Sequence, residues 1–114
     1  MSRHDDGVSL RQMADHLEEA VELAQRRSRG DLDADRLFAL ALLKLVEIVG
    51  EASTRVSDAL KAAHPEMPWR EIAGTRHHLV HGYDAVDYDI LWTIVTEDFP
   101  PLASRIRDLL SAEE

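Results

Sequence analysis

The sequence contains no cysteine. Disulfide staples and thiolate metal sites are therefore excluded, and a reducing cytoplasmic setting suits the chain. Aromatic residues make up only 5% of it, so a core must come mainly from Leu, Val, Ile and Ala. No uninterrupted apolar run approaches the roughly 20 residues of a membrane span. The polar stretch from Met1 to Gly7 lacks the apolar segment of a secretory signal. These gaps predict a cytoplasmic protein without membrane association. Net basic charge is missing as well: 13 Lys and Arg stand against 22 Asp and Glu, a balance of −9. A protein that grips many phosphates usually shows a basic face, so broad, non-specific RNA binding is not expected. The acids are unevenly spread, however. Between Trp69 and Tyr83 the single acid Glu71 faces Arg70, Arg76, His77, His78 and His81, which leaves room for a local basic pocket. Acidic surface elsewhere would suit a basic protein partner.

The length of 114 residues predicts one domain. Residues 1–8 read as a flexible tail and 9–111 as the folded unit. From Ser9, a plausible N-cap, Leu10, Met13, Leu17, Val21 and Ala24 recur at helical steps. Arg26, Arg27 and Arg29 then fall where the negative end of that helix would favour cations, and Gly30 reads as its stop. A second helix, capped by Asp31 or Asp33, carries the stripe Leu37, Phe38, Ala41, Leu45, Ile48, Val49, Ala52, Val56 and Leu60. This stripe would make a spine of roughly 30 residues, about 45 Å. Gly50 inside it costs about 1 kcal/mol relative to alanine, which a close approach of another helix would explain. Glu51 beside it reads as a solvated helix charge. His64 to Pro68 breaks the pattern, and Pro68 suits the first position of a third helix running through Trp69, Ile72, Ala73 and Leu79 to Gly82. Trp69 reads as a core anchor. Asp87 caps a fourth helix with Leu91, Ile94 and Val95. Pro100-Pro101 interrupts, and Leu102, Ile106, Leu109 and Leu110 supply a fifth. No sustained strand alternation appears. The fold class is all-α, an antiparallel helical bundle of four to five helices.

The chemistry concentrates in Arg76-His77-His78-Leu79-Val80-His81-Gly82-Tyr83. Arginine holds phosphate with a rigid fork of donors, and histidine moves protons near neutral pH. On a regular helix Arg76 and His81 would lie roughly 140° apart, so sharing a face requires a turn near Gly82. His77 and His81 stand at i, i+4 and would share one. Three readings stay open from the residues alone. The histidines could serve the helix end, with the arginine paired to an acid. The i, i+4 pair could be a two-ligand metal frame, although no local acid completes it. Or His81 could transfer protons on a phosphodiester while Arg76 stabilises the charge that builds on phosphorus.

The string from Pro68-Trp69-Arg70-Glu71-Ile72-Ala73-Gly74-Thr75 to Arg76, then His81-Gly82-Tyr83, Ile90-Leu91-Trp92 and Glu97-Asp98-Phe99-Pro100, resembles the HepT family of HEPN-domain toxins. Val49-Gly50-Glu51-Ala52 is similar to a segment of the same family, and the likeness runs from about Leu37 to Leu110. The Arg-x4-His-x-Tyr motif is short, and the order of all the segments is far more specific. The resemblance implies an HEPN-like bundle that acts as a metal-independent, cofactor-free endoribonuclease. It implies the toxin of a type VII (HEPN/MNT) toxin–antitoxin system, with tRNA among its candidate targets and a small MNT-type nucleotidyltransferase as antitoxin. In this family the motif Arg and His, here Arg76 and His81, are catalytic. The motif tyrosine, here Tyr83, takes the AMP that silences the toxin. Many relatives have asparagine directly after the arginine where this chain has His77, so His77 and His78 stand as auxiliary candidates. Cleavage through the 2′-hydroxyl needs both a base and an acid, and a homodimer would supply two histidines and two arginines to one cleft. The alternative is a non-catalytic HEPN partner that binds nucleotide or scaffolds its nucleotidyltransferase, which the acidic balance favours.

Overall fold

Asp5, rather than Ser9, starts the first helix. The computed structural model describes residues 5–81 and 85–113, with backbone alone at Val80 and His81. Helix α1 (Asp6–Ala24) is capped by the Asp5 carboxylate, which accepts from the Gly7 N–H at 2.9 Å. Ser9 is buried instead. Leu10, Met13, Ala14, Leu17 and Ala20 of α1 are completely enclosed, at the three- and four-residue steps that put them on one face. The helix ends before the arginines, so its dipole does not explain them. Arg27 bonds Asp35 at 2.8 Å and Asp31 at 3.3 Å and lies over the Phe38 ring. Arg29 bonds Asp33 at 2.8 Å and Asp89 at 2.6 Å.

The expected 45 Å spine is three helices: α2 (Asp31–Ala34), α3 (Arg36–Thr54) and α4 (Asp58–Ala63). Asp35 and Ser57 make the breaks. Each adopts extended backbone, and each side chain accepts from an otherwise orphaned N–H, that of Phe38 at 3.1 Å and that of Leu60 at 3.1 Å. Ser57 also donates its hydroxyl to Asp6 at 2.6 Å, tying this corner to the start of α1. The apolar stripe hides both breaks because Leu32, Phe38 and Val56 stay buried across them.

Gly50 fulfils its expectation. A Cβ there would meet the Ile72 carbonyl oxygen at 3.2 Å and that of Ala73 at 3.8 Å, so the backbone of α5 (Trp69–Ala73) rides directly on α3. Pro68 precedes α5 as its cap instead of opening it. The third helix is shorter than its pattern. Gly74 separates α5 from α6 (Thr75–Leu79), and the chain then leaves helix at β1 (Val80–His81), which pairs antiparallel with β2 (Ala85–Val86). Trp69, half-buried, donates its indole N–H to the His64 carbonyl at 3.0 Å.

Asp87 caps α7 (Tyr88–Thr93) as predicted, accepting from Asp89 and Ile90 at 3.0 and 3.1 Å. Pro100-Pro101 does not stop the chain. A π-helical turn (Ile94–Asp98) runs straight into α8 (Phe99–Glu113), and the Phe99 N–H reaches back to the Ile94 carbonyl. Both prolines lack an N–H, and both fall in the first turn of α8, where an α-helix has no partner of its own for that group. α1 packs against both α3 and α8, and Phe38 of α3 stands edge-on to Trp92 of α7 at 6.5 Å. Outside, Arg107 of α8 joins Glu18 and Asp15 of α1 at 2.7–2.8 Å. The class is the all-α bundle that the pattern predicts. Among the described residues, no helix is long and apolar enough to cross a membrane.

Candidate functional site

Arg76 is the second residue of α6, and the Gly74 break determines where it goes. Thr75 locks that corner: its hydroxyl reaches the carbonyls of Glu71 at 2.9 Å and Ile72 at 3.0 Å. Those bonds close the α5–α6 corner, whose last α5 turn lies against Gly50 of α3. Arg76 therefore emerges at the mouth of a cleft of about 540 Å³ between α1, α3 and the α5–α6 corner. Its side chain is 73% exposed and, among the described residues, has one long contact, Nε to Glu47 Oε1 at 3.8 Å. At that distance the pair is an electrostatic neighbour with no hydrogen bond.

The cleft wall brings in residues that the motif does not contain. Lys44, Glu47 and Glu51 of α3 and Arg55 at its C-terminal cap follow one another at steps of three and four along a single face, and His16 of α1 closes the other side. Glu51 is exposed, as expected, and sits 3.4 Å from Arg55. The charged 3-4-4 spacing is visible in the sequence. It has no meaning there until Gly50 shows where α5 lands.

His77 and His78 are both exposed, but they are not gathered around Arg76. His78 lines a different recess, an apolar groove of about 770 Å³ between the α5–α6 corner and the α7–α8 region, beside Ile72, Ile90, Ile94 and Phe99. His77 lines neither. His81 lies in β1 with its backbone opposite Ala85. Helix α6 ends at Leu79, so the i, i+4 relation between His77 and His81 does not hold. The chain thus leaves helix between Arg76 and His81, ahead of Gly82. Tyr83 lies outside the described residues. Among the described residues, no three His, Asp or Glu side chains gather as a metal ion would require.

Electrostatics separates two kinds of arginine. The Asp35 carboxylate bonded to Arg27 raises the guanidinium's pKa above its ordinary value, Asp89 does the same for Arg29, and Glu18 for Arg107. The acids respond in the opposite sense. Arg107 holds Glu18 below the ordinary carboxylate range, Arg27 does so for Asp35, and the Ser28 N–H does so for Asp31. These arginines are 33%, 35% and 39% exposed and make at least one bond of 2.8 Å or shorter. Their donors are spent on structure. Among the described residues, Arg76 and Arg55, 73% and 55% exposed with contacts of 3.8 and 3.4 Å, keep most of theirs. Both open onto the same cleft.

A locally basic cleft with an available guanidinium, one short helix and a turn ahead of a histidine, is chemistry suited to a phosphodiester. The chain is similar to proteins of that description. The HepT-like family model, described as ribonuclease HepT-like, matches residues 13–109. A probable ribonuclease HepT of Thermococcus cleftensis is 39% identical over 102 residues, covering 83% of this chain and 93% of its own. A candidate RNase of Caldanaerobacter subterraneus is 30% identical over 104 residues, covering 88% and 93%. Another, of Methanocaldococcus jannaschii, is 28% identical over 106 residues, covering 93% and 97%. No solved structure matches. The shared segments, the helical fold and the span of these matches place the chain in the HepT-like ribonuclease family.

Proposed function

We propose that the chain is the toxin of a type VII (HEPN/MNT) toxin–antitoxin pair, and that it cleaves RNA, tRNA among the candidates, without a metal. The reading rests on one observation above all. Among the described residues, Arg76 stands exposed, 3.8 Å from its Glu47 neighbour, at the mouth of a locally basic cleft, while the arginines with short ion pairs are tied into the scaffold. In the proposed reaction a His81 imidazole takes the proton of the ribose 2′-hydroxyl, and the freed oxygen attacks phosphorus. The bond to the 5′-oxygen breaks, and a second His81, in its imidazolium form, protonates the leaving oxygen. The products are a 2′,3′-cyclic phosphate and a 5′-hydroxyl. Arg76 neutralises the extra charge on the phosphoryl oxygens as it develops. One protomer carries one His81, so two copies across a two-fold axis supply the base and the acid.

Silencing by an MNT-type nucleotidyltransferase completes the reading. An AMP on Tyr83, two residues from His81, places a negative charge and a bulky group where substrate phosphate would sit. The test is expression of the parent chain, Arg76→Ala and His81→Ala, each alone and with a cognate nucleotidyltransferase. Growth arrest by the parent alone, relieved by the partner together with an added AMP on Tyr83 by mass spectrometry, is the expected result. Arrest by the variants, or relief without AMP on Tyr83, contradicts it. The net charge of −9 favours a second reading, a non-catalytic partner that binds nucleotide or scaffolds the nucleotidyltransferase. Harmless expression of the parent alone would support that reading.

A further inference from the structure

The face of α3 that carries Lys44, Glu47, Glu51 and Arg55 has no part in the Arg-x4-His-x-Tyr motif, yet it forms the long wall of the Arg76 cleft. From Lys44 to Arg55 the wall runs about 16 Å along the helix axis. That exceeds what one phosphate at Arg76 requires. Three cations line it, Lys44, Arg55 and Arg76, with His16 opposite, against two acids, Glu47 and Glu51. The cleft is thus basic within a chain whose net charge is −9. Among the described residues, its two arginines keep most of their donors, in contrast to Arg27, Arg29 and Arg107. A volume of about 540 Å³ falls in the range of small-ligand sites.

We infer that this cleft is a subsite for the nucleotide next to the scissile phosphate, with Lys44 and Arg55 holding the adjoining phosphate of single-stranded RNA. The inference rests on the proposed RNA substrate and extends it to residues outside the motif. It also reconciles an acidic protein with an RNA ligand. Grip comes from two or three cations in one cleft, so the rest of the surface need not be basic. Glu47 and Glu51 each stand beside one arginine without a short bond.

The experiment uses the full chain and a short 2′-O-methyl RNA oligonucleotide, which lacks the attacking hydroxyl and cannot be cleaved. Binding is read by fluorescence anisotropy across a salt series. Lys44→Ala and Arg55→Ala should each weaken binding about tenfold at low salt. Each should also flatten the salt dependence by about 0.7 in log–log slope, the value for one lost phosphate contact on a single strand. Arg55→Lys, which keeps the charge, should retain most of the slope. Arg36→Ala, exposed at the start of α3 and off the cleft, should change neither quantity. Unchanged affinity and slope in Lys44→Ala and Arg55→Ala, or no salt-sensitive binding by the parent chain, would overturn the subsite. Because the probe cannot react, the two proposals fail separately. Cleft-dependent binding without cleavage of ordinary RNA counts against the nuclease, and cleavage indifferent to Lys44 and Arg55 counts against the subsite.

Discussion

Replacing Gly50 with alanine sets two forces of known size against each other. In a helix interior the change gains about 1 kcal/mol of helix propensity. The new Cβ would stand 3.2 Å from the Ile72 carbonyl oxygen, closer than ordinary packing allows. That oxygen has little freedom, because it accepts from the Thr75 hydroxyl at 3.0 Å within the corner that ends α5. Crowding a packed contact costs about 1–3 kcal/mol. Crowding should win, leaving Gly50→Ala about 1 kcal/mol less stable and lowering the melting temperature by about 4 °C for a domain of this size. The effect should reach the site as well. Relief requires α5 and α6 to slide away from α3 by a few tenths of an ångström, carrying Arg76 with them. A 1 Å misplacement costs about 100-fold in rate, so cleavage should fall by roughly three- to tenfold. Urea unfolding followed by circular dichroism gives the first quantity and a labelled-RNA assay the second. A variant that is more stable than the parent would show that propensity outweighs the contact, and the α3–α5 approach would not be what fixes the corner.

Ser57→Ala should cost about 1–2 kcal/mol in a urea titration, because it removes both the α4 cap and the bond to Asp6. An unchanged midpoint would mean that neither bond matters to folding. Acid should also weaken the fold in a defined sense. Glu18, Asp31 and Asp35 are held below their ordinary values of 4.5, 3.8 and 3.8, so the stability they add is fully present above those values. It is lost as pH falls through the lowered ones. Arg107→Ala removes the main cause of the Glu18 shift, so its stability should fall less steeply than the parent's below about pH 4.5. Parallel acid-unfolding curves would contradict that assignment.

The all-α class was legible because the bundle uses ordinary helical spacing, and Leu10, Met13 and Leu17 point inward as their steps dictate. Gly50 and Asp87 were legible because each leaves a local mark, a glycine inside a helical stripe and an acid just ahead of one. The broken spine was not, because Asp35 and Ser57 interrupt the backbone without interrupting the stripe. Arg27 and Arg29 sit next to a helix end in sequence, but their partners Asp35 and Asp89 are identified only by the fold. The same limit hid the cleft. Arg76 announces itself through its motif, whereas Lys44 and Arg55 look like any solvated face until α5 is laid across Gly50. The two-residue strand at Val80–His81 is too short to leave a periodic signal.

The central claim, that Arg76 and His81 cleave RNA through its own 2′-hydroxyl, is tested most directly by the chemistry of the product ends. The purified chain, Arg76→Ala and His81→Ala are incubated with 5′-labelled RNA in excess chelator, and their melting curves are recorded alongside. The expected outcome is cleavage by the parent that leaves a 2′,3′-cyclic phosphate, and a loss of about 100-fold or more in either variant at unchanged stability. Fragments bearing a 3′-hydroxyl, or cleavage by His81→Ala at the parent's rate, would contradict it.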